Sequence, residues 1–549
     1  MSLLLDVFGY LTVLLHGSVL AAQSLTLGGV AFLLILAEPL AGRLGGSGAT
    51  IAARSRRLLA CSSLALALLV ATAATIQILV LADTAGIGLG AAAGADFALA
   101  DAAIVAASLA MALRLSGNSP APRWLLVSLA CIVIVGSVAT SHAASRLDDR
   151  PLLMVLTSLH QIGAAIWIGG MPYFLLAMAQ ARDGGAWRLV GKRFSLMSTA
   201  AVALIVGAGT AMAWVYVADF SALYGTAYGV MTSTKVLMFL GLLGLGFANF
   251  RAVERLRRDP TTPVVRLRRF AEVELGVGLT VLFAAASLTS LPPATDLPFD
   301  RVSWAEIVER NVPHWPRFES PSHEDLAIPA LQAKLDAEAA RAETAARAFV
   351  PGAGLPPPIS GFDIAWSEYN HHWAGILVLA IGILALVERS GLAAWARHWP
   401  LLFLALALFL LVRSDPEAWP LGDIGFWESL RDPEVVQHRL FVLLLVPFAL
   451  FEWAVRTGRL KRRGSALVFP LLTAFGGGLL LTHSHSLGNV RQELLIEMTH
   501  VPLALFGIAA GWTRWLELRL PEPESRIAGW AWPICFVAVG LSLLLYRES

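Results

Sequence analysis

Apolar residues in this chain come in long runs separated by short polar stretches. A bilayer core needs roughly 20 apolar residues per helix. Fourteen runs qualify as spans: about 8–37, 58–82, 97–113, 124–142, 152–179, 194–217, 233–250, 271–290, 372–388, 399–412, 438–455, 465–483, 496–516 and 528–546. The tenth is the shortest. The pattern predicts an all-α fold, a polytopic integral membrane bundle of about 14 transmembrane helices in the lipid bilayer.

The polar stretches between the runs alternate in charge. One set is basic, beginning with Arg43, Arg54, Arg56 and Arg57, then Arg114 and Arg123, then Arg182, Arg188, Lys192 and Arg193. It continues through 251–269, Arg389 and Arg397, 456–463 and 514–526. The intervening set is neutral or acidic, with Asp83, Asp96, Asp219 and the 415–434 stretch. Lysine and arginine favour the cytoplasmic side, so both termini are expected in the periplasm. The first run lacks a basic leader and a small-residue cleavage site, and reads as a retained helix.

One stretch breaks the alternation. Residues 291–370 are rich in proline, with an alanine- and charge-rich segment at roughly 324–349 that reads as a surface helix. It is too long for a simple connector and is read as a periplasmic cap. The expected organisation is a four-helix membrane segment at 1–150, a second at 151–290, the proline-rich loop at 291–370, and six helices at 371–549.

Composition agrees with a membrane class: 57% of the 549 residues are hydrophobic and 15% charged, against about a quarter charged in soluble domains. The net charge of +2 gives no support for nucleic-acid binding. Cys61, Cys131 and Cys535 fall in separate apolar runs without a CxxC pairing, and read as small buried hydrophobes. No P-loop pattern points to an ATPase, and the chain does not read as an enzyme.

The chemistry lies in the histidines. With this orientation eleven of the twelve face outward, and His398 alone lies on the cytoplasmic side. Imidazole ligates transition metals and haem iron. His16 and His160 lie inside the first and fifth spans, each on the order of 12–13 Å below the outer end at 1.5 Å per residue. Ionisable groups within a span are costly and point to function. Each is followed by a glycine pair, Gly28-Gly29 and Gly169-Gly170, which suggests a repeat of helices one to four in five to eight.

The other outer histidines are His142 at the end of the fourth span, His371 and His372 opening the ninth, and His438 opening the eleventh. His483 and His485 close the twelfth, and His500 lies in the first turns of the thirteenth. Met154, Met231 and Met498 lie at the same level. Thioether beside imidazole suits copper, above all Cu(I). Glu497 shares a helix face with His500. Asp101 reads as a ligand or proton carrier, with an interhelical hydrogen bond as the equal alternative. Lys235, near the outer end of the seventh span, reads as a snorkelling side chain, and His314 and His323 as structural loop residues.

An ordered set of residues carries a family resemblance. His160, Trp167-Ile168-Gly169-Gly170 and Arg193-Phe194-Ser195 are followed by Thr226-Ala227-Tyr228-Gly229, Lys235 and Asn249. Across about 150–290 this set resembles the copper resistance protein D (CopD) family. The resemblance implies a bacterial inner (plasma) membrane protein of copper uptake or homeostasis, working beside a small periplasmic copper-binding protein of the CopC kind. It implies a functional His160 and close helix packing at Gly169 and Gly170. The last six helices lie outside it. Two other readings stay open: a b-type haem electron carrier with His16 and His160 as axial ligands, and a factor delivering copper to a respiratory oxidase.

Overall fold

The structure is a computed structural model that describes residues 8–117, 121–298, 301–321, 361–462, 464–482 and 490–548, with positions 337 and 340. The described residues form helices and connecting turns, with no β-strand. The surface helix expected over 324–349 and both His483 and His485 lie outside the described residues.

Twelve helices are long and apolar enough to cross a membrane, among the described residues. With two shorter apolar ones they are α1 (Phe8–Leu40), α2 (Gly46–Ala85), α3 (Asp96–Ser116), α4 (Arg123–Ala139), α5 (Arg150–Gln180), α6 (Gly184–Tyr216) and α7 (Ala227–Arg258). There follow α8 (Val265–Asp296), α9 (Gly361–Ser390), α10 (Ala394–Arg413), α11 (Glu434–Arg456), α12 (Ser465–Leu480), α13 (Leu494–Arg519) and α14 (Glu524–Leu544). Each overlaps one expected span. The chain is a multi-pass membrane protein. Several helices outrun their apolar runs: α2 begins at Gly46 and carries Arg54, Arg56 and Arg57 before the run at 58. Helical hydrogen bonding continues where apolarity stops, because the backbone needs the same partners in the headgroup region.

The described chain packs as two compact units. The first takes in Thr12–Asp219 and Lys235–Ser290; the second takes in Phe220–Thr234 and the described residues after Leu291. Residues on both sides of position 150 therefore pack within one unit.

In the first unit the two glycine pairs meet at a single crossing. A Cβ on Gly169 would lie 1.8 Å from the Ser24 carbonyl oxygen, and one on Gly28 2.2 Å from that of Ala165. Only glycine allows backbones this close. Both helices are π-wound beside the crossing, at Leu33–Ala37 in α1 and Ala165–Gly169 in α5. Pro39 has no N–H to offer the Ile35 carbonyl one turn back, and Arg193 of α6 donates to that oxygen at 3.3 Å. A residue of the family-like set thus answers a helix defect in α1.

Trp167 and Asn249 converge on Glu274 of α8, which is 2% exposed. Trp167 Nε1 donates to Oε1 and Asn249 Nδ2 to Oε2, both at 2.6 Å. Glu274→Leu leaves two buried donors unpaired, at about 1–3 kcal/mol each. Glu274→Gln is milder: the Asn249 amide can turn and accept through Oδ1, which has no partner in the parent. The expected result is a large fall in Tm for Glu274→Leu and a small one for Glu274→Gln, read by thermal unfolding in detergent.

The second unit is built on an aromatic core that includes Trp399, Phe403, Phe448, Phe469, Trp532 and Phe536. At its arginine-rich end, charges are paired against that core. Arg456 donates to Glu388 at 2.6 Å and Glu452 at 2.8 Å, with its guanidinium over the rings of Trp399 and Trp532. Arg514 and Arg389 both bind Glu517, which also accepts from Trp532 Nε1 at 2.8 Å. Buried charges persist only when matched in this way.

Candidate functional site

Within the first unit, His142 opens a short helix, His142–Ser145, between α4 and α5. Its Nε2 donates to the Thr289 carbonyl at 2.6 Å, which puts the lone pair on Nδ1. His16 of α1 lies within charge-interaction range of His142. Next to His16, the ring of Phe283 fills the space a side chain on Gly17 would need, at 2.4 Å from the Cβ position.

His160 has different surroundings. It lies within charge-interaction range of the Lys235 ammonium. Its Nδ1 is buried with no hydrogen-bond partner, and it faces Gly209, whose Cβ position is 3.4 Å away. A buried polar atom left unpaired in a native fold calls for an explanation. The next residue, Gln161, accepts from Gln23 at 3.1 Å and donates to Ser137 at 3.2 Å, so α1, α4 and α5 are tied by one polar chain. Met154 is half-buried one and a half turns before His160 on α5, and Asp101 is half-buried on α3.

The second unit gathers the other described histidines. His371 donates through Nδ1 to the Ser367 carbonyl at 2.8 Å and stacks on Tyr546 with 3.8 Å between ring centroids. His500 donates through Nδ1 to the Ile496 carbonyl at 2.8 Å and stands edge-on to His371 at 5.8 Å. His438 holds Asp415 through Nδ1 at 2.7 Å. Burial acts upward on the Asp415 carboxyl, yet the hydrogen bond and charge of His438 outweigh it and hold it below its usual range. Burial, reinforced by the Glu548 carboxylate, lifts the Tyr546 phenol well above its own. Met498 is half-buried and Glu497 buried on α13.

His372 corrects an expectation. Its Nδ1 accepts from the Arg317 amide at 2.7 Å and its Nε2 donates to the Tyr546 carbonyl at 2.9 Å. Both nitrogens are spent on backbone groups, so this ring ties chain segments together and has no lone pair for a metal. Among the described residues, no three His, Cys, Asp or Glu side chains are already gathered as a metal cluster. Sequence reading missed Glu274 and the Thr289 carbonyl. A carboxylate inside the start of an apolar run, two residues beyond Glu272, was the available signal for the first; a backbone oxygen leaves none.

The helices that carry the family-like set are α5 to α8. Residues 188–288 match the family model of copper resistance protein D. That span contains Arg193, Thr226-Ala227-Tyr228-Gly229, Lys235, Asn249 and Glu274, whereas His160 and the Trp167–Gly170 segment precede it. The copper transport protein CutJ of Bacillus subtilis (strain 168) is 29% identical over 164 residues, 29% of this chain and 29% of that protein. The similarity thus spans less than a third of the relative's length. No solved structure matches the chain.

Proposed function

We propose that this chain is a copper-handling protein of a bacterial inner membrane, taking up the ion from the periplasmic side through imidazoles of its first unit. The observation that carries the reading is the His160 ring, whose Nδ1 is buried with no hydrogen-bond partner. At His142, Nε2 is held by the Thr289 carbonyl, which fixes the tautomer and leaves the lone pair on Nδ1. Metal-binding histidines are oriented in the same way. His16, within charge-interaction range of His142, supplies a further imidazole to the same unit. The match to copper resistance protein D and the likeness to a copper transport protein support copper as the ion. A periplasmic CopC-like protein is the proposed donor, and both termini are proposed to lie on its side. Nothing in the surroundings of His16 and His160 favours the haem reading over this one.

The test is flux. Purified protein in liposomes that enclose a Cu(I) indicator is expected to admit copper faster than protein-free liposomes, and its absorption spectrum to lack a Soret band. Equal rates with and without protein, or a Soret band at one haem per chain, would sink the proposal.

A further inference from the structure

A small cavity lies inside the second unit, apart from the imidazoles of the first. It measures about 10 Å³, the room of one water molecule or one bare metal ion. Among the described residues three donor side chains line it, Met231 from the start of α7 and Glu497 and His500 from α13, together with four aliphatic side chains. Met231 is 2% exposed and Glu497 8% exposed. The Nδ1 hydrogen bond to Ile496 defines the His500 tautomer, with Nε2 as the basic nitrogen. Tyr546 and His371 flank the same ring edge-on at 6.0 and 5.8 Å and restrict its rotation.

We infer that this cavity is a second metal site, taking a bare soft monovalent cation, Cu(I), through the Met231 thioether, the His500 imidazole and the Glu497 carboxylate. The donor set decides the ion. A thioether is a poor ligand for magnesium or calcium and a good one for Cu(I), and imidazole serves copper equally. The Glu497 carboxylate balances the charge of a monovalent ion, which favours placing one in a buried site. The cavity is too small for a hydrated ion, so the three side chains replace the water shell. This assignment rests on the cavity and its donors and stands apart from the uptake reading of the first unit.

The experiment is a Cu(I) titration of the full-length protein in detergent against a chromophoric Cu(I) chelator, using a background that lacks the first-unit imidazoles (His16→Leu and His142→Ala with His160→Leu). That background is expected to retain one tightly held ion with a sulfur scatterer in its copper X-ray absorption spectrum. Adding Met231→Leu, a swap that conserves volume, is expected to weaken the ion by at least about tenfold and remove the sulfur signal while the gel-filtration profile stays unchanged. Adding His500→Ala should also weaken it. A background protein that holds no ion overturns the assignment, as does an ion indifferent to Met231→Leu. Neither result bears on flux through the parent protein, so the two readings fail separately.

Discussion

Gly169→Leu is expected to leave almost no correctly assembled protein in the membrane. The atoms a side chain would strike are main-chain atoms: the Ser24 oxygen at 1.8 Å and carbon at 2.3 Å from the Cβ position. A neighbouring side chain could rotate away, but a helix backbone can yield only by moving the whole helix. Overpacking against side chains costs about 1–3 kcal/mol, and this collision exceeds that range. Even Gly169→Ala places the offending carbon, so it should already lower Tm sharply. Gly207→Ala and Gly241→Ala provide the contrast, since a Cβ there meets nothing within 4 Å. Fluorescence-detected gel filtration with a heating series measures all four. A Gly169→Ala protein as stable as the Gly207→Ala protein would dismiss the crossing as the organising contact.

The second large effect is chemical. His160→Leu is expected to abolish copper uptake in the liposome assay and to leave thermal stability unchanged or raised. The two halves of that result have one cause. His160 Nδ1 is buried without a partner, an arrangement that costs about 1–3 kcal/mol in the empty protein. Leucine removes the unpaired nitrogen and keeps most of the volume. A residue kept for packing would give the opposite signature, with Tm falling and uptake following in proportion to folded protein. Uptake at the parent rate by the His160→Leu protein would take this residue out of the path.

The spans were readable from composition because lipid demands some twenty apolar residues wherever a helix crosses, and that demand is local in sequence. Where the helices end was harder to read. Arg54 and Arg258 lie on helices that continue past the apolar run, and charge says nothing against a helix once it leaves the bilayer. The glycine pairs were legible as close packing, although their meeting with each other is a property of the bundle. The site was only partly legible. Depth along two helices put His16 and His160 at one level, but depth fixes height and leaves rotation free, so whether their rings face each other was not legible. His372 was unreadable as structural, because its partners are the Arg317 amide and the Tyr546 carbonyl, groups every residue possesses.

The paired charges at the arginine-rich end of the second unit have a consequence for how the protein is made. Arg389, Arg456 and Arg514 reach their partners Glu388, Glu452 and Glu517 across α9, α11 and α13. One of those partners is synthesised more than a hundred residues after its arginine: Arg389 binds Glu517. A nascent α9 leaves the insertion machinery before Glu517 exists, so its arginine must wait at the lipid headgroups, where an unpaired charge is tolerated. Closure of this end therefore awaits α13. Truncation before that helix should leave a chain that is inserted yet unlatched, a natural substrate for membrane quality control.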